Sequence, residues 1–95
     1  MDSNGNTLKN NDTSENYGDG IFVNATSTNT VIDGNYAQNN KDDGIDVENA
    51  TTTISNTTTY DSRDLAIETV PGVTASSNIA VGSGNPLGCL NVVCS

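Results

Sequence analysis

Short segments of alternating apolar and polar residues recur along the chain at a near-constant interval: Ile21-Phe-Val23, Ile45-Asp-Val47 and Ile67-Glu-Thr69. Ile21, Ile45, Ile67 and Cys89 are 24, 22 and 22 residues apart (45−21, 67−45, 89−67). Period-two alternation makes each segment a strand, with Ile and Val on one face and Phe22, Asp46 or Glu68 on the other. Ile32 and Ile54, again 22 apart (54−32), supply a second inward stripe. Ala37, Thr58 and Ala80 are read as a third stripe of small residues. Three strands and three bends make one triangular coil, and a unit repeated with a period in the twenties is a solenoid. Coils stacked at the strand spacing of about 4.8 Å predict an all-β stub of four coils, roughly 20 Å tall.

The repeat divides a single domain into residues 1–33, 34–55, 56–77 and 78–95. Counted from Asn6, Asn35, Asn56 and Asn78 to the next member of the Ile ladder, the steps are 15, 10, 11 and 11 (21−6, 45−35, 67−56, 89−78). The surplus in the first coil is assigned to residues 10–16, read as a bulging corner loop.

Composition agrees with short strands and tight bends. There are 15 Asn, 13 Thr and nine Gly; Asn and Gly tolerate left-handed corners, and Thr suits pleated strands. A hydrophobic content of 33% with a net charge of −9 also describes disordered chains. The constant interval of the Ile-x-Val segments argues against disorder. With three basic and twelve acidic residues, the chain offers no patch to neutralise nucleic-acid phosphates or anionic lipid, so nucleic acid is excluded as a partner. Divalent cations and neutral or basic partners are not. No stretch is long and apolar enough to span a membrane, and Met1-Asp2-Ser3-Asn4 is not a signal peptide.

Cys89 and Cys94 are the two cysteines, and the chain has no His. A structural zinc site would need two further ligands. A disulfide closing the small loop is the preferred reading, with two reduced cysteines as the alternative. A disulfide implies an oxidising, extracellular or cell-surface setting. With Pro86 before it, the loop would fold Leu90, Val92 and Val93 across the last coil as a cap. The other end, residues 1–6, carries no amphipathic helix to plug it, leaving Ile21 and Val23 as an uncovered apolar ring.

The run Gly-Asn-x-Ala-x-x-Asn…Asp-Gly-Ile-x-Val at residues 34–47 resembles the right-handed parallel β-helix repeats of the pectate-lyase-like superfamily. Thr69-Val-Pro-Gly-Val-Thr74 and Gly84-Asn-Pro-Leu-Gly-Cys-Leu-Asn-Val-Val-Cys94 are similar to the C-terminal coils of secreted bacterial β-helix repeat proteins. The resemblance implies a right-handed parallel β-helix. It implies no activity, because the repeat is architectural and serves enzymes, adhesins and fibres alike.

Enzymes of that superfamily use an Arg base with calcium-binding Asp residues, or several Asp with a Gly-His-Gly motif. Here His is absent and Arg63 is the only arginine. Arg63 stands between Asp61 and Asp64, one coil after Lys41; Lys41 over Arg63 and Asp42 over Asp64 read as two columns of partly cancelling charge. No catalytic residue and no resident cofactor are therefore expected. Asp46 and Glu68 would stack outward within about 5 Å, as would Asp42 and Asp64. Such carboxylates repel by about 1 kcal/mol in water and by more near protein, and calcium, which takes oxygen ligands in variable geometry, would relieve the repulsion. Asp42, Asp64, Asp46 and Glu68 are thus the candidate calcium ligands, although no EF-hand or nonapeptide calcium pattern fits. Solvated acids kept for solubility are the alternative. Asn11, Asn24, Asn49 and Asn56 each begin an N-glycosylation triplet. The threonine clusters at residues 26–30, 51–53 and 57–59 do not hold one register, so a flat threonine array is not expected.

These readings point to a non-catalytic extracellular solenoid with a structural, adhesive or self-assembling role. Its expected partners are another copy stacked end to end, in a filament-like array, or upstream coils of a longer protein; carbohydrate is a further candidate. The alternative is the C-terminal part of a polysaccharide-degrading or polysaccharide-binding β-helix protein.

Overall fold

The computed structural model describes residues 5–85 and 88–94. Residues 1–4 and Pro86 of the expected caps lie outside the described residues. Among the described residues there are twelve short strands and no helix. The first coil carries β1 (Thr7–Lys9), β2 (Asp12–Ser14) and β3 (Ile21–Val23); the second β4 (Val31–Asp33), β5 (Tyr36–Gln38) and β6 (Ile45–Val47). The third carries β7 (Thr53–Ser55), β8 (Thr58–Tyr60) and β9 (Ile67–Thr69); the fourth β10 (Thr74–Ser76), β11 (Ile79–Val81) and β12 (Cys89–Leu90). Equivalent strands pair in parallel into three four-stranded sheets, β1-β4-β7-β10, β2-β5-β8-β11 and β3-β6-β9-β12. This is the expected solenoid of four coils.

The strands of the first two sheets are short because a left-handed residue ends each of them. Asn10, Gly34, Asn56 and Ser77 (φ +56°, +66°, +52° and +57°) turn the chain from the first sheet to the second. Glu15, Asn39, Asp61 and Gly82 (φ +59°, +55°, +51° and +70°) end the second. Single Asn and Gly residues visit this region most readily, which accounts for much of the Asn content. Next to these corners, buried Asn side chains tie one coil to the next. Asn35 accepts from the Asn11 N–H at 2.9 Å and donates to the Leu8 carbonyl at 2.7 Å. Asn78 does the same for Thr57 N–H and Ile54 C=O, both at 3.1 Å. Such bonds satisfy the backbone groups that a bend would otherwise bury unpaired.

The core is a set of side-chain columns. Ile21, Ile45, Ile67 and Cys89 are in register, as are Ile32 and Ile54, and the buried members pack into one cluster. The third stripe is Ala37, Thr59 and Ala80, not Thr58. Thr59 is buried whereas Thr58 is only partly so; the threonine run hides the alternation, because a methyl and a hydroxyl on Cβ suit either face.

Three further expectations are corrected. Residues 10–16 contain β2, paired with β5, and do not bulge. Asn11, not Asn6, is the counterpart of Asn35, and both stand ten steps before the Ile ladder (21−11, 45−35). The surplus lies after β3: Val23 to Val31 is eight steps, Val47 to Thr53 six and Thr69 to Thr74 five (31−23, 53−47, 74−69). The first coil's apolar ring is also not bare, since Ile21 is 6% and Val23 0% exposed. At the other end Cys89 and Cys94 form the expected disulfide. Val92 and Cys94 pack on the core, while Val93 points to solvent at 87% exposure and Leu90 shares the outward column of Glu68. Alternation explains this too: of two adjacent valines, only one can face inward.

Candidate metal centre

The corner before the third sheet gathers the acids. Asp19 and Asp43 each stand two residues before the Ile ladder, and each points its carboxylate at the coil that follows. Asp19 Oδ1 accepts from the Asp43 N–H at 3.0 Å, and Asp43 Oδ1 from the Leu65 N–H at 2.9 Å. Gly20 and Gly44 follow them because the backbones approach closely: a Cβ on Gly20 would lie 2.6 Å from the Gly44 carbonyl oxygen. That pinch drives Asp43 inward, to 1% exposure.

Asp43 is the hub. Its carboxylate, with those of Asp19 and Asp46, forms one group whose ligand atoms lie within 4.8 Å of one another; with those of Asp42 and Asp64 it forms another. Three of the four ligands expected from the sequence thus meet around a residue that sequence reasoning missed. Glu68 is in neither trio, but it stacks on Asp46 in the sheet and is close enough to Asp43 to share a proton with it. Asp64 is partly engaged, accepting from Asn85 Nδ2 at 3.2 Å.

Two carboxylate oxygens in this corner are buried with no hydrogen-bond donor: Asp43 Oδ2 and Asp46 Oδ1. An uncompensated buried charge is expensive, and the groups respond by holding their protons. Burial, then the Glu68 carboxylate beside it, pushes Asp43 up to about 8, against an ordinary 3.8. Burial, then Glu48, pushes Asp46 up to about 7. Asp19 is raised by burial, an effect the Asp43 N–H partly offsets. At neutral pH the corner is therefore held between partial protonation and mutual repulsion. A divalent cation would end both by supplying positive charge to oxygens that have no donor, and all-oxygen donor sets are those of calcium.

The signal for Asp43 was present in the sequence. Asp19-Gly-Ile and Asp43-Gly-Ile are the same tripeptide in register, but nothing in one dimension says that the Asp before a pinched Gly turns inward.

The other predicted residues are placed as follows. Lys41 and Arg63 lie one coil apart and, with Asn39, Asn40 and Asp61, line an open cleft of about 310 Å³. The four glycosylation-triplet asparagines all use their side chains. Asn11 and Asn49 donate to Asn35 Oδ1 and the Ala25 carbonyl. Asn56 donates to Asp33, and Asn24 accepts from Thr26 and Ser27.

No curated protein and no solved structure matches the chain. A family model does, one described as a right handed beta helix region, over residues 1–91. With parallel coils 21 to 24 residues apart in the structure and a match over nearly its whole length, the chain belongs to the right-handed β-helix family.

Proposed function

We propose that this chain is a non-catalytic, extracellular β-solenoid with a structural, adhesive or self-assembling role, in which a divalent cation, calcium first, joins neighbouring coils at the acidic corner. The observation that carries the cation is the buried Asp43 Oδ2, which no donor satisfies, next to Asp19, Asp46 and Glu68. A cation in the first trio would tie the first coil (Asp19) to the second (Asp43, Asp46), and one in the other trio would tie the second (Asp42, Asp43) to the third (Asp64). That is a stabilising part for a solenoid, whose coils touch only their neighbours. The lone arginine supports the non-catalytic reading, since it shares its cleft with Asp61 and Lys41.

The test is thermal unfolding at pH 8 in calcium and in chelator. At free calcium of 100 times the dissociation constant, binding adds about 2.7 kcal/mol, which raises Tm by roughly 10 °C or more in a domain of this size. The Asp43→Asn variant should lose the response. Equal Tm in calcium and chelator would remove the cation from the proposal.

A second reading has one observation in its favour. Among the described residues β1, β2 and β3 pair on one side only, so upstream coils would extend all three sheets without rearrangement. Those coils could carry carbohydrate chemistry. Release of reducing or unsaturated sugar ends by a longer protein that carries upstream coils, with none by the 95-residue chain alone, would favour it.

A further inference from the structure

We infer that the outer face of the sheet β2-β5-β8-β11 is a side-by-side pairing surface for a second copy of this chain. Across the second, third and fourth coils its six outward positions are Tyr36, Gln38, Thr58, Tyr60, Ile79 and Val81. None of these six is charged, in a chain of net charge −9, and the charge on this face is confined to Asp12 of the first coil, beside Tyr36. The other two sheets differ: one presents Lys9 and Asp33, the other Asp46 and Glu68. Two copies so acidic repel wherever carboxylates face each other, and this window is where apolar faces can meet without bringing like charges together.

The face is also apolar where a surface need not be. Ile79 and Val81 are 44% and 43% exposed on one strand, with Tyr60 directly beside Val81. Tyr36 packs against Tyr60 with ring centroids 5.4 Å apart, making a continuous aromatic and β-branched strip. Tyr17, Phe22, Val31 and Val93, the other exposed large apolar residues among those described, do not share this face.

The strip fits itself. A two-fold axis parallel to the solenoid and midway between two facing sheets sets each coil against the same coil of the second copy. It exchanges the two outward columns, so Tyr60 lies over Thr58, Tyr36 over Gln38 and Ile79 over Val81. Large side chains meet smaller ones, as an isologous contact requires. Six positions cover roughly 200 Å² of sheet, well below the ~800 Å² per partner of a standard interface. The pair is therefore weak, forming in the high micromolar to millimolar range, and it strengthens as salt screens the remaining charge. This contact uses neither the solenoid ends nor the acidic corner, so it stands or falls apart from the function proposed above.

Sedimentation equilibrium from about 10 µM to about 1 mM, in low salt and in 0.5 M salt with chelator, tests it. A monomer–dimer equilibrium that tightens with salt is expected, weakened at least tenfold by Val81→Lys and by Tyr60→Lys but not by Asp46→Asn. Circular dichroism of each variant checks the fold, and two substitutions at exposed or half-exposed positions guard against one of them misfolding. A thiol introduced by Thr58→Cys should be joined to its counterpart by a short bismaleimide, whereas one at Ser55→Cys on another sheet should not. A monomer at every concentration, or a self-association indifferent to both lysine variants, would overturn the inference.

Discussion

Asp43 uses one carboxylate oxygen to accept the Leu65 N–H and leaves the other buried without a donor. Its value of about 8, and that of Asp46 at about 7, lie above the ordinary 3.8, so near neutral pH the folded state keeps protons that the unfolded chain has released. The sign follows: their contribution to stability is fully present below about pH 4 and is lost as pH rises through 7 to 8. In chelator, the urea midpoint should therefore fall between pH 5 and pH 9, and calcium should oppose the fall by taking the place of the protons. A midpoint that rises over that range would contradict the burial of these acids. Asp43→Asn keeps the acceptor for Leu65 N–H and gives Glu68 a donor. It should raise the metal-free stability at pH 8 by about 1 kcal/mol, the order expected when a buried charge is removed. Of this corner, the sequence made Asp42, Asp46, Asp64 and Glu68 legible, because columns follow from the repeat. It did not make the hub legible, because inward rotation of Asp43 depends on the close approach of glycine backbones.

At the scale of the elements, strand position decides what a substitution does. Ile45 is fully buried between Ile21 and Ile67, so Ile45→Ala should lose about 2–5 kcal/mol in denaturant unfolding. Ile79→Ala, on an outward position, should stay within about 0.5 kcal/mol. Asn35→Ala orphans the Asn11 N–H and the Leu8 carbonyl and should lose about 1–3 kcal/mol. If the two Ile variants were equal, the inward and outward assignments would be wrong. The Ile and Val ladders were readable because apolar residues at a fixed interval have one explanation. The corners were readable only in part: Asn and Gly announce left-handed backbone, but Glu15, Asp61 and Ser77 hold the same conformation without the usual sequence signal. Counting from Asn6 instead of Asn11 placed the surplus of the first coil at the wrong corner, because Asn is so frequent here that one is always near the expected place.

For the molecule as a whole, the two ends are unlike. The fourth coil is closed by the Cys89–Cys94 loop, with Val92 and Cys94 on the core. Replacing both cysteines by Ser should lose roughly 2 kcal/mol by the chain-entropy model, seen as an earlier urea midpoint. The first coil keeps a free edge of three strands among the described residues. A free parallel edge is a site for further strands, from upstream coils or another copy, and acidic columns running along the stack would make such growth sensitive to salt. All of this rests on coils that are held together by more than their backbone ladders. The most direct test is a crystal structure of the chain grown in calcium at pH 8, with anomalous difference density at the acidic corner. Density 2.3–2.6 Å from oxygens of Asp43, Asp46 and Asp19, the range of calcium ligands, is the expected result. Density at none of them, with Asp43 and Glu68 joined by a shared proton in the same crystals, would contradict it.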